Sequence, residues 1–361
     1  MAATLIGFTG SALVAGPLGP SPSLSLWDAM YSWRTGGGFK DNVFLAHGNG
    51  QSSAFLSAGA DVIVLQIPAV GPQFSFFGGG DWNRFFDLAH NEATAFGQAR
   101  LEQEFGNEWK GWLAGDYSFQ DQVVDLSVTE TNRQAVRAFG HTATLRPGGR
   151  KDLPHQFWLS LETPATRQWF AAPLDDYVEA GVRLTLSRGY RYDSQFALSY
   201  EASWRRYDHD PSRTASGPAI TNEVRQRWQH DARLTWRHHW DEAKHWRSTL
   251  TLSGRFNEEN GKGFYDYVRP HAAAQLRYRA QAWEISAEGR LALYDYSTQT
   301  VSATELAQRY RTDWSVAVNL ERRLGKYLRW RAGYEREQAQ SNDSLETYTV
   351  NTVTSTLQWE F

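Results

Sequence analysis

The 361-residue sequence contains no cysteine, which excludes a disulfide framework, a thiolate metal site and a cysteine nucleophile. Its net charge of −3 at pH 7 gives no general attraction to nucleic acid. Beyond the N-terminus it lacks any run of about 18 apolar residues, which excludes a protein that crosses a membrane by helices. Barrels that cross with alternating strands are not excluded, because their average hydropathy is that of a soluble protein.

Helical periodicity is also almost absent, and a two-residue alternation of apolar and polar side chains takes its place. The segments FALSYEASW (196–204) and WEISAEGRLALY (283–294) each put apolar residues on one face and polar residues on the other. The chain is rich in aromatic residues, with 16 Trp, 16 Tyr and 19 Phe, which favour pleated surfaces and membrane interfaces. The pattern predicts an all-β protein.

Segmenting the chain by this alternation predicts sixteen strands, an even number. They are 26–36, 54–67, 73–86, 93–106, 108–120, 132–146, 154–163, 175–188, 193–208, 222–238, 243–257, 264–279, 282–296, 307–323, 326–339 and 346–361. Most are at least as long as the roughly 10 tilted residues that cross a hydrocarbon core. Longer connections, such as 163–176 and 210–222, alternate with short ones, such as 106–107 and 324–326, which predicts a meander with two unlike rims.

The last ten residues, TVTSTLQWEF, alternate in the same way and end on an aromatic residue. Leu357, Trp359 and Phe361 hold the apolar positions, while Thr356, Gln358 and Glu360 separate them. This segment resembles the C-terminal strand of Gram-negative outer-membrane β-barrel proteins, in which it pairs with the first strand and is read by the barrel-insertion machinery. GGGFKDNVF (36–44) also resembles the first hairpin of porin-like barrels.

The resemblance implies a transmembrane antiparallel up-and-down β-barrel of about 16 strands, with short periplasmic turns and longer extracellular loops. It places the protein in the outer membrane, in contact with lipid and lipopolysaccharide, with Leu357, Trp359 and Phe361 as the insertion signal. Residues 26–361 form the predicted barrel. Residues 1–25 form an apolar, signal-like segment and periplasmic entry that lacks the basic residue of a signal peptide. Porins often trimerise, so the resemblance also implies a homo-oligomer.

The face opposite the apolar one is predicted to line the lumen, because a Lys or Arg on the lipid face at mid-depth costs about 2–4 kcal/mol. The predicted pore-lining and selectivity residues are Arg183, Arg205, Arg227, Arg233, Arg247, Arg255, Arg269, Arg277, Arg290, Arg311, Arg329, Arg331, Glu201, Asp231, Glu284, Glu288, Asp313 and Glu335. Two roles stay open for the arginines. They either form cross-strand ladders with carboxylates that stiffen the wall, or a basic stripe that attracts anionic solutes.

Aromatic residues are predicted to form girdles at both rims. Trp246, Trp283, Tyr190, Tyr192 and Tyr327 adjoin short turns. Those adjoining long connections are Phe264, Tyr265, Tyr267 and Tyr177.

No catalytic constellation, metal site or cofactor motif stands out. His238 and His239 are adjacent in a predicted strand, so they point to opposite faces and suit a shared metal poorly. The sequence therefore predicts a porin-like channel for small hydrophilic, including anionic, solutes, and no enzyme. The alternatives are an exporter of an anionic polysaccharide, resting on the arginine stripe, and a non-conducting structural or assembly barrel.

Overall fold

The computed structural model describes residues 27–48, 50–66, 71–125, 135–301 and 306–361, and the predicted segment 1–25 lies outside them. They form one antiparallel sheet. Its strands are β1 Trp27–Lys40, β2 Ser53–Gln66, β3 Gln73–Phe85, β4 Asn91–Phe105, β5 Trp109–Asp125, β6 Ala135–Leu153, β7 Phe157–Glu162, β8 Ala165–Phe170, β9 Tyr177–Tyr190, β10 Ser194–Arg213, β11 Ala219–His239, β12 Trp246–Glu259, β13 Tyr267–Arg279, β14 Trp283–Thr300, β15 Gln308–Arg323, β16 Leu328–Ser341 and β17 Tyr348–Glu360.

β7 and β8 are two halves of one wall strand, because both lie between β6 and β9 in consecutive register. The interruption falls at Thr163 and Pro164, where proline has no N–H to donate to the ladder. The neighbouring strands hold the gap closed: Thr163 donates its N–H to the Pro147 carbonyl at 3.0 Å. The wall therefore has the predicted sixteen positions, but the predicted connection 163–176 was wrong in part, since it contains β8.

The ring closes where β1 pairs with β17 as well as with β2. This seam joins the C-terminal strand to the first strand, as the resemblance implied. Glycines of β1 let the two backbones approach closely. A Cβ on Gly36 would lie 2.1 Å from the Ser355 carbonyl oxygen, and one on Gly38 would lie 2.2 Å from that of Val353. Side chains larger than hydrogen would force the seam apart at these positions.

The two rims of the barrel carry unlike connections. The long rim holds those after β1, β3, β5, β8, β10, β12, β14 and β16, the longest being 41–52, and the short rim holds the other seven and the chain ends. The asymmetry is smaller than predicted, because strands continue into the segments assigned to loops. β10 runs to Arg213 and β11 begins at Ala219, so the predicted connection 210–222 shrinks to 214–218. Among the described residues no helix is long and apolar enough to cross a membrane.

The two faces of the wall differ as the alternation predicts. Large apolar side chains such as Leu113, Leu198, Leu252 and Val318 are exposed all around the outer face. At the short rim the predicted girdle residues Trp246, Trp283 and Tyr327 are exposed on that face as well. The closed sheet leaves no strand edge to face lipid, and its outer surface is apolar, which is the architecture of a membrane-spanning barrel.

The predicted aromatic girdle at the long rim was wrong for four residues. Phe264, Tyr265 and Tyr267 are buried inside the barrel mouth. Tyr177 stacks under Arg205, whose guanidinium carbon lies 3.7 Å from the ring centroid. Position beside a connection did not reveal which way these rings turn, because strand alternation places Tyr177 and Tyr267 on the charged face.

Candidate functional site

The charged face of the sheet is the inner face, because it joins strands that are not neighbours. Lys40 of β1 lies 3.5 Å from Glu92 of β4, three positions away around the ring. Arg311 of β15 lies 2.6 Å from Asp125 at the end of β5. Passing from β5 through β4, β3, β2, β1, β17 and β16 to β15 takes seven steps, so the second pair spans nearly the whole bore. The candidate site is therefore the lumen wall.

Most arginines that the sequence assigned to this face have a carboxylate partner on the same or a nearby strand. The pairs are Arg183 with Glu201 (2.7 Å) and Glu162 (3.2 Å), Arg205 with Glu179 (2.5 Å), Arg233 and Arg255 with Asp231 (3.6 and 3.1 Å), Arg277 with Glu284 (3.4 Å), Arg290 with Glu288, Arg311 with Asp313 (2.6 Å), and Arg329 and Arg331 with Glu321 (both 2.8 Å). The ladder reading describes these residues.

Four inward arginines have no carboxylate within 4.0 Å among the described residues: Arg227 and Arg237 of β11, Arg247 of β12 and Arg269 of β13. All four lie on three consecutive strands, so the uncompensated positive charge is concentrated on one side of the bore. The predicted acid Glu335 likewise has no ion pair within the described chain. Whether these residues select solutes stays a prediction.

The long-rim end of the lumen is closed by a layer of buried charged and aromatic side chains, which we call the closed layer. Arg225, with a side chain 2% exposed, lies 3.0 Å from Asp210 and stacks between Tyr207 and Tyr265, with its guanidinium carbon 3.6 and 4.5 Å from the two ring centroids. An arginine held this way is desolvated but matched by a carboxylate and two π faces.

A second buried pair of the closed layer joins Arg309 to Glu346, whose side chains are 1% and 0% exposed. The Nε of Arg309 donates to Glu346 at 3.0 Å, and the guanidinium also contacts Gln299. Glu346 belongs to the connection after β16. Burial raises the pKa of Glu346 above its ordinary value, although the charge of Arg309 opposes this.

The third part of the closed layer is the pair between Arg311 and Asp125 that spans the bore. Their side chains are 3% and 9% exposed. Arg311 also donates to Asp313 at 2.6 Å. Breaking a buried pair by removing one partner costs about 3–5 kcal/mol, so the layer is held firmly.

The rest of the lumen wall is accessible to water. The side chain of Arg233, halfway along β11, is 50% exposed, and that of Arg331 of β16 is 39% exposed. Arg183, Arg100 and Arg290 are also partly exposed. The lumen therefore has a hydrated part that reaches the short rim and a closed part at the long rim.

Sequence reasoning missed most of the closed layer. Arg225 shares its inward phase with Arg227, so the alternation could have revealed it. Glu346 and Asp125 gave no such signal, since one lies in a connection and the other ends a strand. Their roles depend on contacts across the bore, which no local pattern encodes.

Histidines and acids do not form a metal site in the described part of the chain, where no group of three or more such side chains is close enough to hold an ion. The prediction that His238 and His239 point to opposite faces is confirmed. His238 stacks on Trp236 with ring centroids 5.3 Å apart, whereas His239 is buried opposite Arg247.

A concave groove of about 1040 Å³ lies on the wall from β3 to β10. Its floor consists of small residues, including Ala95, Gly97, Gly115 and Ala143, and Tyr117 borders it. Tyr117 is one of the exposed residues of the apolar face, so the groove faces lipid and is not part of the lumen.

No protein-family model matches the sequence, and no curated protein matches it. Solved structures of similar fold include a bacterial polysaccharide outer membrane secretin, with 10% identity over 92% of this chain and 98% of that one and a TM-score of 0.47. OccAB3 of Acinetobacter baumannii has 10% identity, coverage of 93% and 99%, and a TM-score of 0.48. An anion-selective porin of Comamonas acidovorans has 9% identity, coverage of 93% and 99%, and a TM-score of 0.47.

The chain is a 16-stranded up-and-down β-barrel of the Gram-negative outer-membrane type. This assignment follows from its closed antiparallel ring, its apolar outer face and its charged inner face. The function proposed below rests on the side chains of this chain.

Proposed function

We propose that the protein is a porin-like channel of the outer membrane that passes small hydrophilic solutes and favours anions. The supporting observation is the inner face, whose charged side chains are open to water over the part of the bore that reaches the short rim. The unpaired arginines of β11, β12 and β13 give this wall an excess of positive charge, which raises the local concentration of anions. The activity is passive and not enzymatic.

In this proposal the short rim faces the periplasm, because short turns and chain ends lie on that side in bacterial barrels. The outer face contacts membrane lipid and lipopolysaccharide, and Leu357, Trp359 and Phe361 of the closing strand engage the assembly machinery. Association into a homo-oligomer is part of the same proposal.

The test is single-channel conductance of the refolded protein in a planar bilayer, with folding first verified by a heat-dependent shift in gel mobility. We expect stepwise openings whose reversal potential in a salt gradient lies toward the anion potential. A folded protein that leaves the bilayer closed would contradict the channel.

The closed layer supports a second candidate, a barrel that does not conduct at rest. In that case the same measurement shows no openings, and the protein serves as a structural or assembly barrel. The third candidate, an exporter of an anionic polysaccharide, is favoured by the unpaired arginines near the short rim. It predicts saturable current block by an acidic oligosaccharide added on that side.

A further inference from the structure

Three arginines converge on the inner face where β11, β12 and β13 approach the short rim. Arg247 lies directly across from Arg277 of one neighbouring strand and from His239 of the other. Arg237 precedes His239 by two residues on the same face. Like charges directly opposite each other in a sheet are destabilising, so the stability of the wall does not account for this arrangement.

The acids around this cluster do not balance it. Arg277 shares Glu284 with Arg279, at 3.4 and 2.7 Å, so one carboxylate serves two guanidinium groups. Arg247 donates to the side-chain oxygen of Gln275 at 3.3 Å, an uncharged acceptor. Arg237, Arg277 and Arg279 all lie close enough to Arg247 to disfavour its charge. Within the described chain, four guanidinium groups therefore face one carboxylate.

Two buried nitrogen atoms in the cluster have no hydrogen-bond partner among the described residues. They are Nε of Arg247 and Nδ1 of His239, whose side chain is nine-tenths buried. A buried polar atom without a partner costs free energy, so sites of this kind are normally completed by another group. Guanidinium groups only donate, and they bind carboxylate and phosphate groups best.

We propose that Arg237, Arg247 and Arg277 form a binding site for a solute with closely spaced carboxylate or phosphate groups that enters the lumen from the short rim. The inference rests on the proposed function for the route of entry and names the class of solute that the arginine-rich wall takes. The closed layer lies at the other end of the bore, so a ligand reaches the site from one side.

The test is isothermal titration calorimetry of the folded barrel in detergent with two probes, tripolyphosphate and a galacturonic acid trisaccharide. We expect the triple variant R237Q/R247Q/R277Q to bind the preferred probe at least about tenfold more weakly, equivalent to about 1.4 kcal/mol. The preference between probes distinguishes a phosphate source from a carboxylate source.

The matched control is R188Q/R322Q/R336Q, which removes the same charge from the outer face. Arg188 and Arg322 lie there over aromatic rings, 5.0 and 4.6 Å from their centroids. Unchanged affinity in the control together with loss in the triple variant supports the site. Equal weakening in both variants, or no binding of either probe to the native barrel, overturns it. If the triple variant does not fold, the single variant R247Q replaces it, since Arg277 then keeps Glu284.

The binding result is separable from the channel result. Binding that depends on the three arginines in a barrel that does not conduct would overturn the proposed function and leave the site standing. A conducting barrel in which the triple variant binds both probes as tightly as the native protein would overturn the site alone.

Discussion

The two ends of the lumen solve the problem of internal charge in opposite ways. At the long rim, arginines such as Arg225 and Arg309 are removed from water, and each is matched by a buried carboxylate. At the short rim, Arg237 and Arg247 stand next to other arginines with few acids. Buried matched charges give a firm wall, whereas unmatched charges beside water attract ions. The comparison separates the arginines that build the barrel from those available to a solute.

The largest expected effect is at the closed layer. Arg309→Met leaves Glu346 buried without its partner, and we expect a loss of about 3–5 kcal/mol of unfolding free energy, measured by urea unfolding in detergent. Arg331→Met, in the hydrated part, should cost about 1 kcal/mol or less, because its pair with Glu321 is exposed. The double variant Arg309→Met/Glu346→Gln should recover most of the loss. Equal costs at the two ends would refute the comparison.

The next effect concerns the pair that spans the bore. Asp125→Asn weakens the link to Arg311, while Asp313 still neutralises that arginine. We expect single-channel conductance to rise on the order of twofold if this link narrows the path. The control is Asp121→Asn, which breaks a pair with Arg137 on the outside of the same hairpin. Unaltered conductance in Asp125→Asn would show that the pair does not limit flow.

A smaller effect is expected on selectivity. Charge reversal at Arg233, Arg277 and Arg331 should move the reversal potential toward cations, because all three side chains face the hydrated lumen. Arg84→Glu, on the outside of β3, is the control and should leave the potential unchanged. A shift of the same size in the control would indicate a long-range effect of net charge.

The smallest effect is expected in a turn of the short rim. Asp241 accepts hydrogen bonds from the backbone N–H groups of Trp246 and His245 at 3.0 and 3.1 Å, and these lower its pKa below the ordinary value. The stabilisation is present above the unfolded-state pKa and is lost as the pH falls through the lower folded-state value. Asp241→Asn should therefore reduce the pH dependence of stability slightly between pH 5 and 3, measured by thermal unfolding.

Local alternation was enough to predict the wall. Side chains of a strand point to alternate faces, so the outward Leu198 and the inward Arg205 follow from position alone. The interruption at Pro164 was misread, because a strand split by proline looks like a loop in sequence. The closed layer could not be predicted, since Asp125 and Arg311 meet only after sixteen wall positions close into a ring. Pairing states were equally hidden: Arg227 and Arg255 read alike in sequence, yet only Arg255 has a carboxylate partner.

The seam between β1 and β17 has a consequence for how the barrel comes into being. Its partners, such as Asp41 and Asn351, are 310 residues apart, more than any other neighbouring strands must bridge. Before they meet, the chain is an open sheet with two unpaired edges, each a template for pairing with another molecule. Once the glycines of β1 admit the last backbone, both edges vanish together. The risk of aggregation is thus confined to the interval before one late joint forms, and contacts of such long range form slowly.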